Sequence, residues 1–122
     1  MIDPVNLNTA FQELTDYWSP KVVGRVNNQY VKVAQLLGEL AWHKHDEEDE
    51  LFHVFRGSLR IQVKGQTDVV LETGEFCVIP RGTLHNPVAE GECWIVLIET
   101  VTTKHTGDVQ TARTRSIKEQ LA

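Results

Sequence analysis

Cysteine is scarce. The 122 residues include two, Cys77 and Cys93, and no CxxC pair. That excludes a disulfide framework and a zinc ribbon. Long apolar runs are lacking too. The longest, Trp94-Ile95-Val96-Leu97-Ile98, has five residues, against the roughly 20 that cross a bilayer as a helix. The N-terminus has neither a basic flank nor an apolar leader-like stretch, so no signal peptide is expected. These absences predict a soluble, cytoplasmic protein of a reducing compartment with no membrane partner. Basic charge is in deficit: 12 Lys and Arg stand against 17 Asp and Glu, a net charge of −5. Binding to a nucleic-acid backbone needs clustered cations, so no nucleic-acid partner is expected. No GxxxxGK phosphate loop, GxSxG nucleophile elbow, internal repeat or low-complexity segment occurs.

What is present suits one globular domain: 41% of residues are hydrophobic and 24% charged. Leu7, Phe11 and Leu14 recur at i, i+4 and i+7, which predicts a helix over 7–17 with Thr9 as N-cap and Gln12 completing a capping box. Pro20 ends that pattern, because it disfavours helix at Ser19. From about residue 22 the period changes to 2. Segments 22–23, 30–34, 39–42, 51–55, 59–63, 69–71, 76–79 and 93–98 read as short strands. Turn signals at Asn27-Asn28, Gly38, Gly57, Gly65, Gly74, Gly82 and Glu90-Gly91 separate them. The pattern predicts an all-β sandwich or barrel. After Glu99 the chain turns polar, and Ile117 and Leu121 can begin a short helix. The expected division is a helical segment at 1–21, a β-barrel at 22–101 and a polar tail at 102–122, lying on the surface or strapped along the barrel.

The residues that carry chemistry are histidines and one carboxylate. His43-Lys44-His45 places two imidazoles two residues apart, on one face if the segment is a strand. An acidic run, Asp46 to Glu50, follows. His85 comes directly behind the turn Pro80-Arg81-Gly82-Thr83.

This framing resembles the cupin superfamily. The first family motif matches Gly38-ELAW-His43-Lys44-His45-DEED-Glu50-LFHVFR-Gly57, and the second matches Gly74-EFCVI-Pro80-Arg81-Gly82-TL-His85-NPV-Ala89. Two departures stand out: four residues rather than five separate Gly38 from His43, and Ala89 takes a position that is Asn in the family. The resemblance covers about residues 30 to 100. It implies a double-stranded β-helix (jelly-roll) cupin barrel with the helix packed outside, a homodimer, and a small-molecule ligand in the barrel. It also implies a site of His43, His45, Glu50 and His85 for one divalent transition metal ion. Three imidazoles and a carboxylate suit Fe, Mn, Ni, Cu or Zn. The activity implied is that of a metal-dependent enzyme, an oxygenase or a sugar isomerase like phosphomannose isomerase. The alternatives are a non-catalytic binding module or a metal that staples the barrel.

Asp49 competes with Glu50 for the carboxylate position, and the six-residue spacing to Gly57 selects Glu50. Strand parity then turns Phe52 and Val54 inward and His53 outward. Trp42 is expected to point away from the site, and His105, in the polar tail, to face solvent. Cys77 and Cys93 read as small buried hydrophobes.

Overall fold

Apolar residues at every second position give each segment one inward face, and seven strands use it. The computed structural model describes residues 1–122. Helix α1 (Leu7–Gln12) precedes β1 (Lys21–Val26), β2 (Gln29–Glu39), β3 (Glu50–Arg56), β4 (Ser58–Val63), β5 (Val69–Glu72), β6 (Phe76–Ile79) and β7 (His85–Thr100). Helix α2 (Ile117–Leu121) lies near the C-terminus. The order β1-β2-β7-β3-β6 forms the main path of an antiparallel sheet, with β4 joined to β7 and β5 to β4. β7 is the hub. It pairs with β2 from Gln29↔Thr100 to Glu39↔Val88, with β3 from Glu50↔Glu99, and with β4 from Val63↔His85. The architecture is an all-β jelly-roll barrel with a short N-terminal helix. No helix is long and apolar enough to cross a membrane.

The inward faces of β2, β3, β4 and β7 meet in one core that includes Ala34, Leu36, Phe52, Val54, Leu59, Ile61, Ile95 and Leu97. Trp18 plugs it. This ring is buried, its backbone is left-handed (φ 57), and its indole N–H donates to the Leu37 carbonyl at 2.7 Å. Along β3, Glu50, Phe52 and Val54 are buried while Leu51, His53 and Phe55 lie on the other face, so parity holds there. On the outside, Phe11 of α1 stacks on Phe55 and Trp94, with ring centroids 5.1 and 5.0 Å apart. Full burial of a side chain like Phe11 stabilises by about 1.5–3 kcal/mol.

Local propensity is overridden at several points. α1 ends at Gln12, and its N-cap is Asn6, whose side chain accepts from the Thr9 amide, rather than Thr9. Residues 40–42 form no strand, and His43 makes only an isolated bridge to His85. Glu90-Gly91 is not a turn between strands. β7 runs through it, with a register shift opposite Leu36 and Gly38. Gly57 does turn the chain as expected, with φ +86, and a Cβ there would sit 2.7 Å from the Glu92 carbonyl oxygen.

The polar tail folds back over the barrel. Thr103 and Thr106 are fully buried, and the Arg113 guanidinium lies 5.9 Å from the Trp18 ring centroid. Gln120 of α2 donates to the Arg115 carbonyl and accepts from the Lys32 ammonium inside the barrel. Gly107 lies against Lys44, where a Cβ would overlap the Lys44 carbonyl oxygen. His105 is therefore not solvent-facing. It is 9% exposed, because the strap carries it inward.

Gly57→Ala should destabilise the fold by about 1–3 kcal/mol from backbone strain alone. A urea midpoint unchanged from wild type would show that the turn relaxes freely. Gly107→Ala should loosen the strap while leaving the barrel intact. Trypsin would then cut faster at Arg113 and Arg115, with little change in the melting temperature; equal cleavage rates would contradict the close packing on Lys44.

Candidate metal centre

Three chain segments converge at one end of the barrel. His43 and His45 lie in the connection between β2 and β3, Glu50 opens β3, and His85 opens β7. The connection is held in place by backbone bonds. His43 N–H donates to the His85 carbonyl and His85 N–H to the His43 carbonyl, both at 2.9 Å. The Gly82 amide donates to the His45 carbonyl at 2.8 Å, and the Arg81 amide to the Asp49 carboxylate at 2.8 Å. Asp49 thus clips the Pro80 turn and is exposed, whereas Glu50 is buried beside the imidazoles. Residues 43–45 are not in a ladder, but both rings still point inward, with Lys44 between them exposed.

His43, His45, Glu50 and His85 are all buried, and one donor atom from each lies within 4.8 Å of the others. The rings of His43 and His85 are 4.5 Å apart between centroids, and those of His43 and His45 5.1 Å. Second partners fix which nitrogen faces the centre. The Nδ1 of His43 bonds the Ala41 carbonyl at 2.8 Å, and that of His85 bonds the Thr83 carbonyl at 2.9 Å. A carbonyl only accepts, so each Nδ1 carries the hydrogen and each Nε2 keeps its lone pair. Glu50 Oε1 stands 3.4 Å from His85 Nε2 and 3.6 Å from His45 Nε2, too far for good hydrogen bonds. All three atoms are buried without a hydrogen-bond partner. Orphaned buried acceptors are costly, and a cation shared among them removes that cost. The residues present therefore fit a divalent metal ion.

The electrostatics agree. Burial, reinforced by the neighbouring His85, lowers the pKa of His43 to about 4 and keeps it neutral. Burial opposes the charge on Glu50, but the neighbouring Glu99 carboxyl and the His45 and His85 imidazoles prevail and hold its carboxyl well below the usual range. His45 is raised, because Glu50 outweighs the effect of burial. Cys93 is driven by burial up to about 12, so it is no thiolate nucleophile; Cys77 is half-buried and also raised.

Sequence reasoning missed a second layer. Glu99 faces Glu50 across the β3–β7 pairing. Its Oε1 pairs with the fully buried Lys32 ammonium at 2.7 Å, while its Oε2 has no partner. Burial and the Glu50 carboxylate raise the Glu99 carboxyl, with Lys32 opposing. The available signal was parity: Glu99 continues the inward series Ile95, Leu97, and Lys32 continues Ala34, Leu36 in the other direction. Trp42 is exposed and His53 half-buried, so neither joins the site.

His43, Glu50, Glu99 and His105 open onto a cavity otherwise walled by apolar side chains, among them Trp18, Leu36, Phe52, Ile95 and Leu97. Lys32 is taken up by Glu99 and Gln120, and no arginine or other lysine lines the space.

Comparison with known proteins gives a consistent picture. The cupin-domain profile matches residues 33–100. The uncharacterized protein YdbB of Bacillus subtilis (strain 168) is 35% identical over 80 residues, covering 66% of this chain and 71% of its own. The crystal structure of a cupin-2 domain containing protein from Shewanella frigidimarina NCIMB 400 superposes with a TM-score of 0.76 at 38% identity, covering 79% of this chain and 93% of that one. Hydroquinone 1,2-dioxygenase PnpCD, solved in complex with Cd2+ and 4-hydroxybenzonitrile, shares the fold with a TM-score of 0.67 at 20% identity, covering 78% of this chain and 71% of its own. The matched segment spans more than half of the sequence and contains His43, His45, Glu50 and His85, and the chain belongs to the cupin family.

Proposed function

We propose that this protein is a metal-dependent enzyme that acts on a small molecule in its barrel, with His43, His45, Glu50 and His85 as the ligands of one divalent transition metal ion. The observation that carries this reading is the set of buried donor atoms without hydrogen-bond partners, His45 Nε2, Glu50 Oε1 and His85 Nε2, grouped with His43. When bound, the ion supplies Lewis acidity toward a ligand oxygen or, if it is redox-active, a one-electron couple. The protein's own part is positional. The Ala41 and Thr83 carbonyls hold two imidazoles by their Nδ1–H groups, so their lone pairs stay directed at the centre. The Asp49 clip and the His43–His85 backbone pair keep the two ligand-bearing loops together. Trp18, Phe52 and Leu97 give the cavity an apolar lining, which strengthens the polar interactions inside.

The apolar wall favours the oxygenase type over a sugar-phosphate isomerase. A phosphate group calls for lysine or arginine, and the only lysine nearby is already paired with Glu99. A non-catalytic binding module is the second reading. One observation favours it: apart from His43, Glu50 and Glu99, the cavity wall carries a single polar side chain, His105, and no further acid–base pair.

Protein purified without chelator should contain close to one equivalent of a first-row transition metal by plasma mass spectrometry. Glu50→Ala and His85→Ala should each weaken metal binding by more than the roughly 10–100-fold that loss of an outer-shell partner costs. Their circular dichroism should remain that of the barrel. Asp49→Ala should keep its metal and lose about 1 kcal/mol of stability. Metal loss in Asp49→Ala with retention in Glu50→Ala would reverse the ligand assignment. Absence of metal even after reconstitution would remove the metal-dependent reading.

A further inference from the structure

The histidines around the cavity are set in two opposite ways. His43 and His85 give their Nδ1 hydrogens to backbone carbonyls and face the centre with lone pairs. His105 does the reverse. Its Nδ1 accepts the Arg115 backbone N–H at 3.0 Å. An Nδ1 that accepts carries no hydrogen, so the neutral ring bears its hydrogen on Nε2. That Nε2–H makes no hydrogen bond within the chain, although the residue is 9% exposed and lines the cavity with His43, Glu50 and Glu99. Protonation is doubly opposed. Burial lowers the pKa to about 4, and a second proton on Nδ1 would collide with the Arg115 amide. In this tautomer Nε2 offers no lone pair to an ion. It offers a donor.

We infer that His105 is the ligand-recognising hydrogen-bond donor of the barrel, and that its Nε2–H selects a small apolar molecule bearing an acceptor oxygen, such as a ketone or enolate oxygen. The inference rests on the small-molecule reading above and adds to it the residue and the ligand class. The rest of the wall supports that class: Trp18, Leu36, Phe52, Ile95 and Leu97 suit an apolar body, and the absence of an unpaired cation rejects a phosphate. His105 also belongs to the strap that closes the cavity, anchored by Gly107 on Lys44 and by Gln120 on Lys32. Ligand entry therefore requires the strap to shift, and the donor returns to its place when the strap closes on the ligand.

The test uses two probes of the same shape, acetophenone and α-methylstyrene, which differ in having C=O or C=CH2. Affinities come from nuclear magnetic resonance titration of the full-length protein, metal-loaded and metal-free, with metal content measured on the same samples. The wild type is expected to prefer acetophenone by about tenfold, the upper end for one neutral hydrogen bond. His105→Phe should lower that preference to near unity while keeping its metal content, and His105→Gln, which retains an N–H donor, should restore part of it. A preference that survives His105→Phe, equal wild-type affinity for the two probes, or binding of neither overturns the assignment. A preference seen in protein that takes up no metal leaves His105 in its role while the metal-dependent reading fails.

Discussion

Desolvation governs this molecule. The barrel interior holds Lys32, His43, His45, Glu50, His85 and Glu99, all buried, in a space otherwise filled by Leu, Ile, Val, Phe and Trp side chains. Each ionisable group taken out of water costs several kcal/mol unless a partner makes up for it. Lys32 and Glu99 compensate one another, and Gln120 completes the shell of the ammonium. The Nε2 atoms of His45 and His85 and Glu50 Oε1 have no such partner within the chain. A polar cluster left open in a dry core is one that a further charge can complete, and the surrounding structure holds it in place. Two loops are tied by paired backbone bonds, one acid clips a turn, two carbonyls orient rings, and a strap covers the opening.

Much of this was legible in the sequence. The Gly, Pro and His spacing of the two motifs located all four clustered residues, and the count from Glu50 to Gly57 separated Glu50 from Asp49. The structure gives each acid its own place: Glu50 begins a strand with its side chain inward, and Asp49, one residue earlier, faces the Arg81 amide. The same-face argument for His43 and His45 reached the right orientation without a strand there, since His43 is held by one isolated antiparallel bridge to His85 and His45 by one bond from the Gly82 amide rather than by a ladder.

The parts that were not legible depend on partners distant in the chain. His105 sits in a stretch of threonines and charged residues that reads as a surface tail, and nothing local indicates that Gly107 can lie against the Lys44 carbonyl. Glu90-Gly91 carries a strong local turn signal, yet both sides of it are already engaged by the ladders to β2 and β4, so the strand continues. At the N-terminus the apolar spacing of Leu7, Phe11 and Leu14 runs past Gln12, but the chain must leave the helix to deliver Trp18 into the barrel.

The position of β7 has a consequence for how the chain is made. It is the last of the seven strands along the chain, and β2, β3 and β4 each give it one of their two edges, the other edge being taken by β1, β6 and β5. On the ribosome, β2, β3 and β4 emerge with one pairing edge each left open until residues 85 to 100 follow. Open edges of this kind are where nascent chains stick to one another. The arrangement makes barrel closure wait for β7, and until then the open edges are where a chaperone or a neighbouring nascent chain can attach.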